Sequence, residues 1–145
     1  MQIEIRKATV KDISGLHEVM KVISDNGVNA GLAPKLIEKI AENEEKCLLV
    51  AVDKETDTIV GSIFGMVFED ICGEGRPILL VENVAVLENM QNKGIGKLMF
   101  DAVEDWARRF NCHYEMLVSG NARIGAHKFY KKIGFDEVKG YKKYL

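Results

Sequence analysis

The sequence predicts a mixed α/β fold, and three stretches carry that prediction. "IEIRKA" alternates apolar and charged residues, the period of a strand with one buried face. "ILLVENVAV" is almost continuously apolar, as a central strand covered on both faces is. Just beyond it, Ile95, Leu98, Met99, Ala102, Val103, Trp106 and Phe110 recur at helical spacing and form one apolar stripe.

The other elements follow in order. Thr9 opens a first helix, with Asp12 three residues on as a loose capping box. Ile13, Leu16, Val19, Met20 and Ile23 mark its apolar face, and "DNGVNAG" ends it. A second short helix starts near Pro34, whose fixed φ suits a first turn, and runs through Leu36, Ile37 and Ile40. "CLLVAVD" and "IVGSIFGMVF" are strands joined by the turn "KETDT", hence a hairpin. Residues 69–77, "EDICGEGRP", are a glycine-rich loop. "HYEMLVS" is a strand beyond the long helix. That helix is then a crossover, and the strand lies parallel to "ILLVENVAV". "NARIGAHKFYKKI" is a last helix, capped near Asn121 and ended by Gly134. "FDEVKGYKKYL" reads as two short final strands around Gly140. The expected total is about six or seven strands with four helices.

Composition narrows the function. The 145 residues suit one domain over 1–145, and 47% apolar with 29% charged residues suits a packed core. A net charge of −2 supplies no basic field for nucleic acid. No apolar run approaches the ~20 residues of a membrane helix, and "MQIEIRKATV" lacks the apolar region of a signal peptide. Cys47, Cys72 and Cys112 are odd in number and widely spaced, as free thiols of a reducing cytoplasm are. His17, His113 and His127 show no zinc spacing, so no metal is expected.

"QNKGIGKLMFDAVEDWA" carries the chemistry. Gly94 and Gly96 stand where a helix begins, although glycine costs roughly 1 kcal/mol per helical site relative to alanine. A helix N-terminus has unpaired N–H groups and a partial positive charge, which together bind anions. Glycines there let a phosphate approach the backbone, and Lys93 and Lys97 add charge. The alternative is a loop that merely starts a helix. A Walker A loop is excluded, because Gln91 and Leu98 stand where it needs Gly and Ser or Thr. A dinucleotide fingerprint is excluded by Met99 at its third glycine.

The spacing Gln91-x-x-Gly94-x-Gly96 resembles Q/R-x-x-G-x-G/A, the acyl-CoA signature of the GNAT N-acetyltransferase superfamily. "AHKFYKKIGF" resembles the family's second landmark through Ala126, Tyr130, Gly134 and Phe135. "VENVAV" is similar to the strand whose backbone receives the pantetheine arm, and the element order matches over essentially the whole chain. The resemblance implies the GNAT acyl-CoA N-acyltransferase fold. It implies transfer of an acetyl group from acetyl-CoA to a primary amine of a small molecule or peptide, in a ternary complex without an acyl-enzyme. Val84, Ala85 and Val86 would hold pantetheine through their backbone. Gln91, Asn92, Lys93, Gly94, Ile95, Gly96 and Lys97 would hold the pyrophosphate. Asn121 is similar to an asparagine near the thiol, and equally reads as a helix cap.

Tyr130 would protonate the departing thiolate, since a phenol of pKa about 10 keeps its proton at neutral pH. Its alternative is a core tyrosine beside Ala126 and Ile133. Glu82 would take the amine's proton, directly or through water. In an apolar strand its pKa is expected to rise. Its alternative is a surface carboxylate or a partner of a lysine. His127, in "RIGAHKFY", reads as a helix-surface residue. The acceptor would meet the first two helices and the 69–77 loop, where Glu69, Asp70 and Glu74 attract a cationic amine or are simply solvated. Family members often dimerise, which leaves a homodimer open. An acyl-CoA-binding or regulatory module without strong catalysis is the other reading.

Overall fold

A computed structural model describes residues Met1–Leu145. Five strands form one sheet in sequence order: β1 (Ile3–Lys7), β2 (Lys46–Asp53), β3 (Thr58–Phe68), β4 (Ile78–Val86) and β5 (Tyr114–Met116). The first four are antiparallel neighbours, and β4 and β5 are parallel. Helices α1 (Ile13–Met20) and α2 (Ala33–Glu42) cover one face. Helix α3 (Ile95–Arg108) covers the other, and α4 (Ile124–Lys132) packs beside it. The mixed α/β class, the hairpin, the parallel pair and the four helices are as the sequence predicts.

Each face has its own core because side chains alternate along the strands. Cys47, Leu49 and Ala51 of β2 face α3, where they meet Ile63, Leu79, Val81, Met99 and Val103. Val50 and Val52 face α1 and α2, where they meet Leu16, Val19 and Ile37. Arg6 fixes the entry to α1. Its guanidinium grips Asp12 in two 2.8 Å hydrogen bonds, and Asp12 accepts the Thr9 N–H at 2.8 Å. The capping-box signal at Thr9 is therefore a link from β1 to the first helix.

Four expectations are corrected. The strand count is five, because "FDEVKGYKKYL" forms none: its backbone joins no ladder, and Val138, Tyr141 and Tyr144 are exposed. Alternation supplies a face but not a partner, and β5 is paired over only three residues. "HYEMLVS" is strand only at Tyr114–Met116 for the same reason. Helix α4 starts at Ile124 with Arg123 as its cap, and Asn121 lies in the preceding turn. On α3, Leu98 is exposed while Phe100 is fully buried. One stripe cannot describe this helix, because it packs on the sheet and also on α4, where Phe100 meets Phe129, Tyr130 and Phe135 at 5.6–6.0 Å between ring centroids.

The junction of β5 with α3 buries a carboxyl. Burial pushes the Glu115 pKa up to about 8, and the neighbouring Glu104 helps by hydrogen bonding and by its charge, with Arg108 opposing. The folded chain holds this proton where an unfolded carboxylate, near 4.5, has lost it. Stability from Glu115 is thus complete below about pH 4.5 and is lost as pH rises through about 8. The melting temperature is expected to fall between pH 5 and pH 8.5, and Glu115→Gln should flatten that part of the profile. Parallel profiles for the two proteins in a thermal-melt titration would refute the assignment.

Candidate active site

The site begins where β4 and β5 part. They pair at Ile78–Tyr114, Leu79–Glu115 and Leu80–Met116, and no further. Strand β4 continues to Val86 with β3 on one side and no strand on the other. A β-bulge accompanies the parting: three steps on β4, from Glu82 to Ala85, face two on β3, from Phe64 to Ser62. Asn83, within the bulge, adopts φ +54°, a left-handed conformation that asparagine tolerates better than most residues. Val84, Ala85 and Val86 therefore lie on a strand with one open backbone edge.

Beyond β4 the chain makes a turn held by Gln91, whose Nε2 donates to the Val86 carbonyl at 3.0 Å. Asn92 and Gly94 then take φ of +62° and +84°. From Asn92 to Lys97 no backbone N–H donates within the protein; the first helical bond is Leu98 N–H to Gly94 O at 3.2 Å. This run of free amides at a helix start suits an anion with several oxygens. A Cβ on Gly94 would meet nothing within 4 Å, so the space above it is open.

The two glycines have different reasons. Gly94 serves a left-handed φ. Gly96 serves packing: a Cβ there would stand 2.8 Å from Cζ of Phe129 on α4. Lys93 is exposed and in no ion pair, whereas Lys97 bonds Asp101 at 2.8 Å, which holds its pKa above the ordinary value. Ile95 is buried and anchors the loop from below.

Tyr130 is placed by its helix end. Gly134, at φ +107°, donates to the Lys131 carbonyl at 3.2 Å, and Phe135 N–H donates to the Tyr130 carbonyl at 2.9 Å. This is a Schellman cap. The Phe135 ring then closes on the Tyr130 ring, 5.8 Å away. The Gly-Phe pair thus clamps Tyr130 through its backbone and its ring. The ring is buried, and the hydroxyl finds no partner within the protein yet is not sealed from solvent. Burial pushes the phenol's pKa up, with Arg123 opposing, so the proton is held more firmly.

The remaining residues divide. Glu82 is exposed and makes no ion pair; the apolar enclosure suggested by its strand is missing, because Glu82 lies beyond Leu80, the last residue of β4 that pairs with β5. It stands opposite Phe64, which stands opposite Leu48. Phe64, Leu48 and Asn83 line a groove of about 590 Å³ between the sheet and α1, α2 and their connection. The groove brings Glu82 to its rim, since cross-strand partners share a face. Asn121 is exposed and makes no side-chain hydrogen bond. His127 has a role the sequence did not reveal: its Nε2 lies 2.8 Å from the Gly120 carbonyl and staples the turn before α4. Residues 69–77 do not line the groove. Arg76 fastens them to the Asn111 and Cys112 carbonyls at the far end of β4, and Glu74 pairs with Arg76. A second hollow of about 400 Å³ lies under Trp106, Arg109 and Phe110 at the C-terminal end of α3 and adjoins the groove through Ile37, Ile40, Lys46 and Leu48, which line both. The helix carries it about 20 Å from the free amides.

An open strand edge runs into a turn of free backbone amides, an arrangement that suits a long ligand with an anionic end. The chain belongs to the acetyltransferase (GNAT) family, whose model matches residues 16–135. Members of this family use acetyl-CoA. The uncharacterized N-acetyltransferase YhdJ of Bacillus subtilis (strain 168) is 36% identical over 58 residues. That match covers 39% of this chain and 41% of the relative, so it spans about two fifths of the relative's length. Glucosamine-6-phosphate N-acetyltransferase from Arabidopsis thaliana superposes with a TM-score of 0.88 at 18% identity, covering 100% of this chain and 99% of that one. A Trypanosoma brucei acetyltransferase superposes with a TM-score of 0.83 at 22% identity, covering 99% of each chain. At these identities the likeness is one of fold.

Substitution separates the two glycines. Gly96→Ala is expected to lower the melting temperature by about 2–6 °C, as a methyl forced against Phe129 outweighs the gain in helix propensity. Adding Phe129→Leu should recover most of that loss relative to Phe129→Leu alone. Gly94→Ala should also destabilise, through its φ, but without relief from Phe129→Leu. Equal behaviour of the two glycines in paired melting curves would contradict this division.

Proposed function

We propose that residues 1–145 act as one N-acetyltransferase unit, moving an acetyl group from acetyl-CoA to a primary amine by direct attack in a ternary complex. The observation that carries this reading is the open edge of β4 leading into the free amides of Asn92–Lys97. The backbone edge at Val84, Ala85 and Val86 suits the amides of the pantetheine arm. The amides from Asn92 to Lys97, with Gln91 holding the turn, suit the pyrophosphate, and Lys93 adds charge. In this reading Asn121 borders the thiol region.

The chemistry assigns three tasks. An N–H on β4 donates to the thioester oxygen as negative charge grows there. Glu82, directly or through one water, takes a proton from the amine. The amine nitrogen bonds to the carbonyl carbon and the carbon–sulfur bond breaks. Tyr130 gives its proton to the leaving thiolate, a role supported by its clamped ring, its free hydroxyl and its firmly held proton. The groove beside Glu82 receives the body of the amine. Three unpaired thiols, Cys47, Cys72 and Cys112, suit the reducing cytoplasm as the compartment.

Acetyl-CoA at 100 times its Kd adds about 2.7 kcal/mol to the stability of a protein that binds it only when folded. For a domain of this size that is a rise of roughly 5–10 °C, read by thermal unfolding. No rise at millimolar acetyl-CoA would sink the proposal. A rise without turnover on a broad amine panel would leave a binding module instead. With an amine that is turned over, Tyr130→Phe should cut kcat about a hundredfold or more while the acetyl-CoA KM changes little. Undiminished kcat would remove Tyr130 from the reaction.

A further inference from the structure

The groove beside Glu82 has an unusual charge balance for a site that receives an amine. None of its seventeen lining residues is Asp or Glu, and eleven are apolar. Its only charged lining residues are two lysines, Lys39 of α2 and Lys46 at the start of β2. Neither lysine forms an ion pair. A polyamine or an aminoglycoside entering here would meet like charge and apolar wall. An anion would meet two cations that have no other partner.

The sheet register supplies a length. Glu82, Phe64 and Leu48 form one cross-strand row, and Leu80, Met66 and Lys46 form the row two residues away. Lys46 and Leu48 are two apart and share a face. Two strand spacings and one two-residue step put the backbones of Glu82 and Lys46 about 12 Å apart. The lysine stem shortens that gap, so an amine at Glu82 and an anion at Lys46 belong about 7–10 Å apart on one molecule. Phe64, Leu48, Leu16 and Ile37 lie along the groove and suit an apolar spacer.

We propose that the acceptor is an amphipathic amine: a primary amine at one end, an apolar body of about six to eight carbons or equivalent, and a carboxylate or other anion at the far end, held by Lys39 and Lys46. The proposal rests on the acetyltransferase reading for which end reacts. The acidic loop at Glu69, Asp70 and Glu74 takes no part, since it lies outside the groove.

Three probes share one body and one reacting amine: 8-aminooctanoate, octylamine and 1,8-diaminooctane. They differ only in an anionic, neutral or cationic far end. Binding is measured by calorimetry on the whole protein, and acetyl transfer by CoA release. 8-Aminooctanoate is expected to bind about tenfold or more tightly than octylamine, and 1,8-diaminooctane most weakly. Glycine, with the same two charged groups and no spacer, should not compete. Lys39→Glu with Lys46→Glu should reverse the order, and Lys39→Gln with Lys46→Gln should level it should the first variant fail to fold. Equal binding of the three, preference for the diamine, or no binding of any would overturn the proposal. The expected order in binding without acetyl transfer would uphold the groove and overturn the transferase reading. Acetyl transfer to all three without preference would do the opposite.

Discussion

Three residue pairs hold β4 to β5, and the separation of the two strands beyond them organises everything else in this molecule. A parallel pair that stayed zipped to Val86 would satisfy its own backbone and leave no edge. Parting leaves peptide groups on β4 without a ladder, and an unpaired group removed from water costs about 1–3 kcal/mol. The structure offsets that cost. The edge stays open to solvent, and Val84 and Val86 of β4 belong to the same core cluster as Phe100, Phe129, Tyr130 and Phe135. The bulge at Glu82–Ala85 belongs to the same event, because a strand that bends away from one neighbour slips its register with the other.

The aromatic cluster connects the free amides at the start of α3 to the Tyr130 phenol. Gly96 lies at the start of α3, and its missing side chain admits Phe129 of α4. Phe129 is the residue before Tyr130, and Tyr130 is clamped from the other side by Gly134 and Phe135. One glycine therefore sets how closely α3 approaches the helix bearing the phenol. The left-handed Gly94 is independent of this packing and turns the chain where successive amides have no partner within the protein. Distance between the two helices is fixed by steric contact, which is stiff, and not by a hydrogen bond, which would tolerate a few tenths of an ångström.

Charge is arranged with similar economy. Asp12 is the one buried carboxylate gripped by an arginine, and Arg6 holds its pKa below the usual range, so it remains ionised and fastens β1 to α1. Lys97 is neutralised by Asp101, which leaves Lys93 as the free cation beside the amides. The groove keeps Lys39 and Lys46 unpaired. Cations thus remain uncommitted beside the free amides and in the groove, and Glu82 stands at the groove's rim without an ion pair.

The local chemistry of short stretches determined most of the architecture. The alternation of "IEIRKA", the apolar run of "ILLVENVAV" and the turn "KETDT" each act within a few residues, and β1, β4 and the hairpin appear where those patterns put them. The cap at Thr9, the proline near the start of α2 and the left-handed glycine at 134 are local for the same reason. The spacing of Gln91, Gly94 and Gly96, with that of Ala126, Tyr130, Gly134 and Phe135, was enough to read the family. Tertiary structure decided what depends on partners distant in the chain. Pairing stopped at Met116 and the tail gained no ladder, because a strand exists only where another edge accepts it. Phe100 was buried and Leu98 exposed because α3 has two neighbours, which periodicity cannot count. Glu82 faced solvent because β5 stops short of it, and where a neighbouring strand stops is not written in β4. Lys39 and Lys46 met in one groove only once α2 had folded over β2, and no spacing along the chain encodes that meeting.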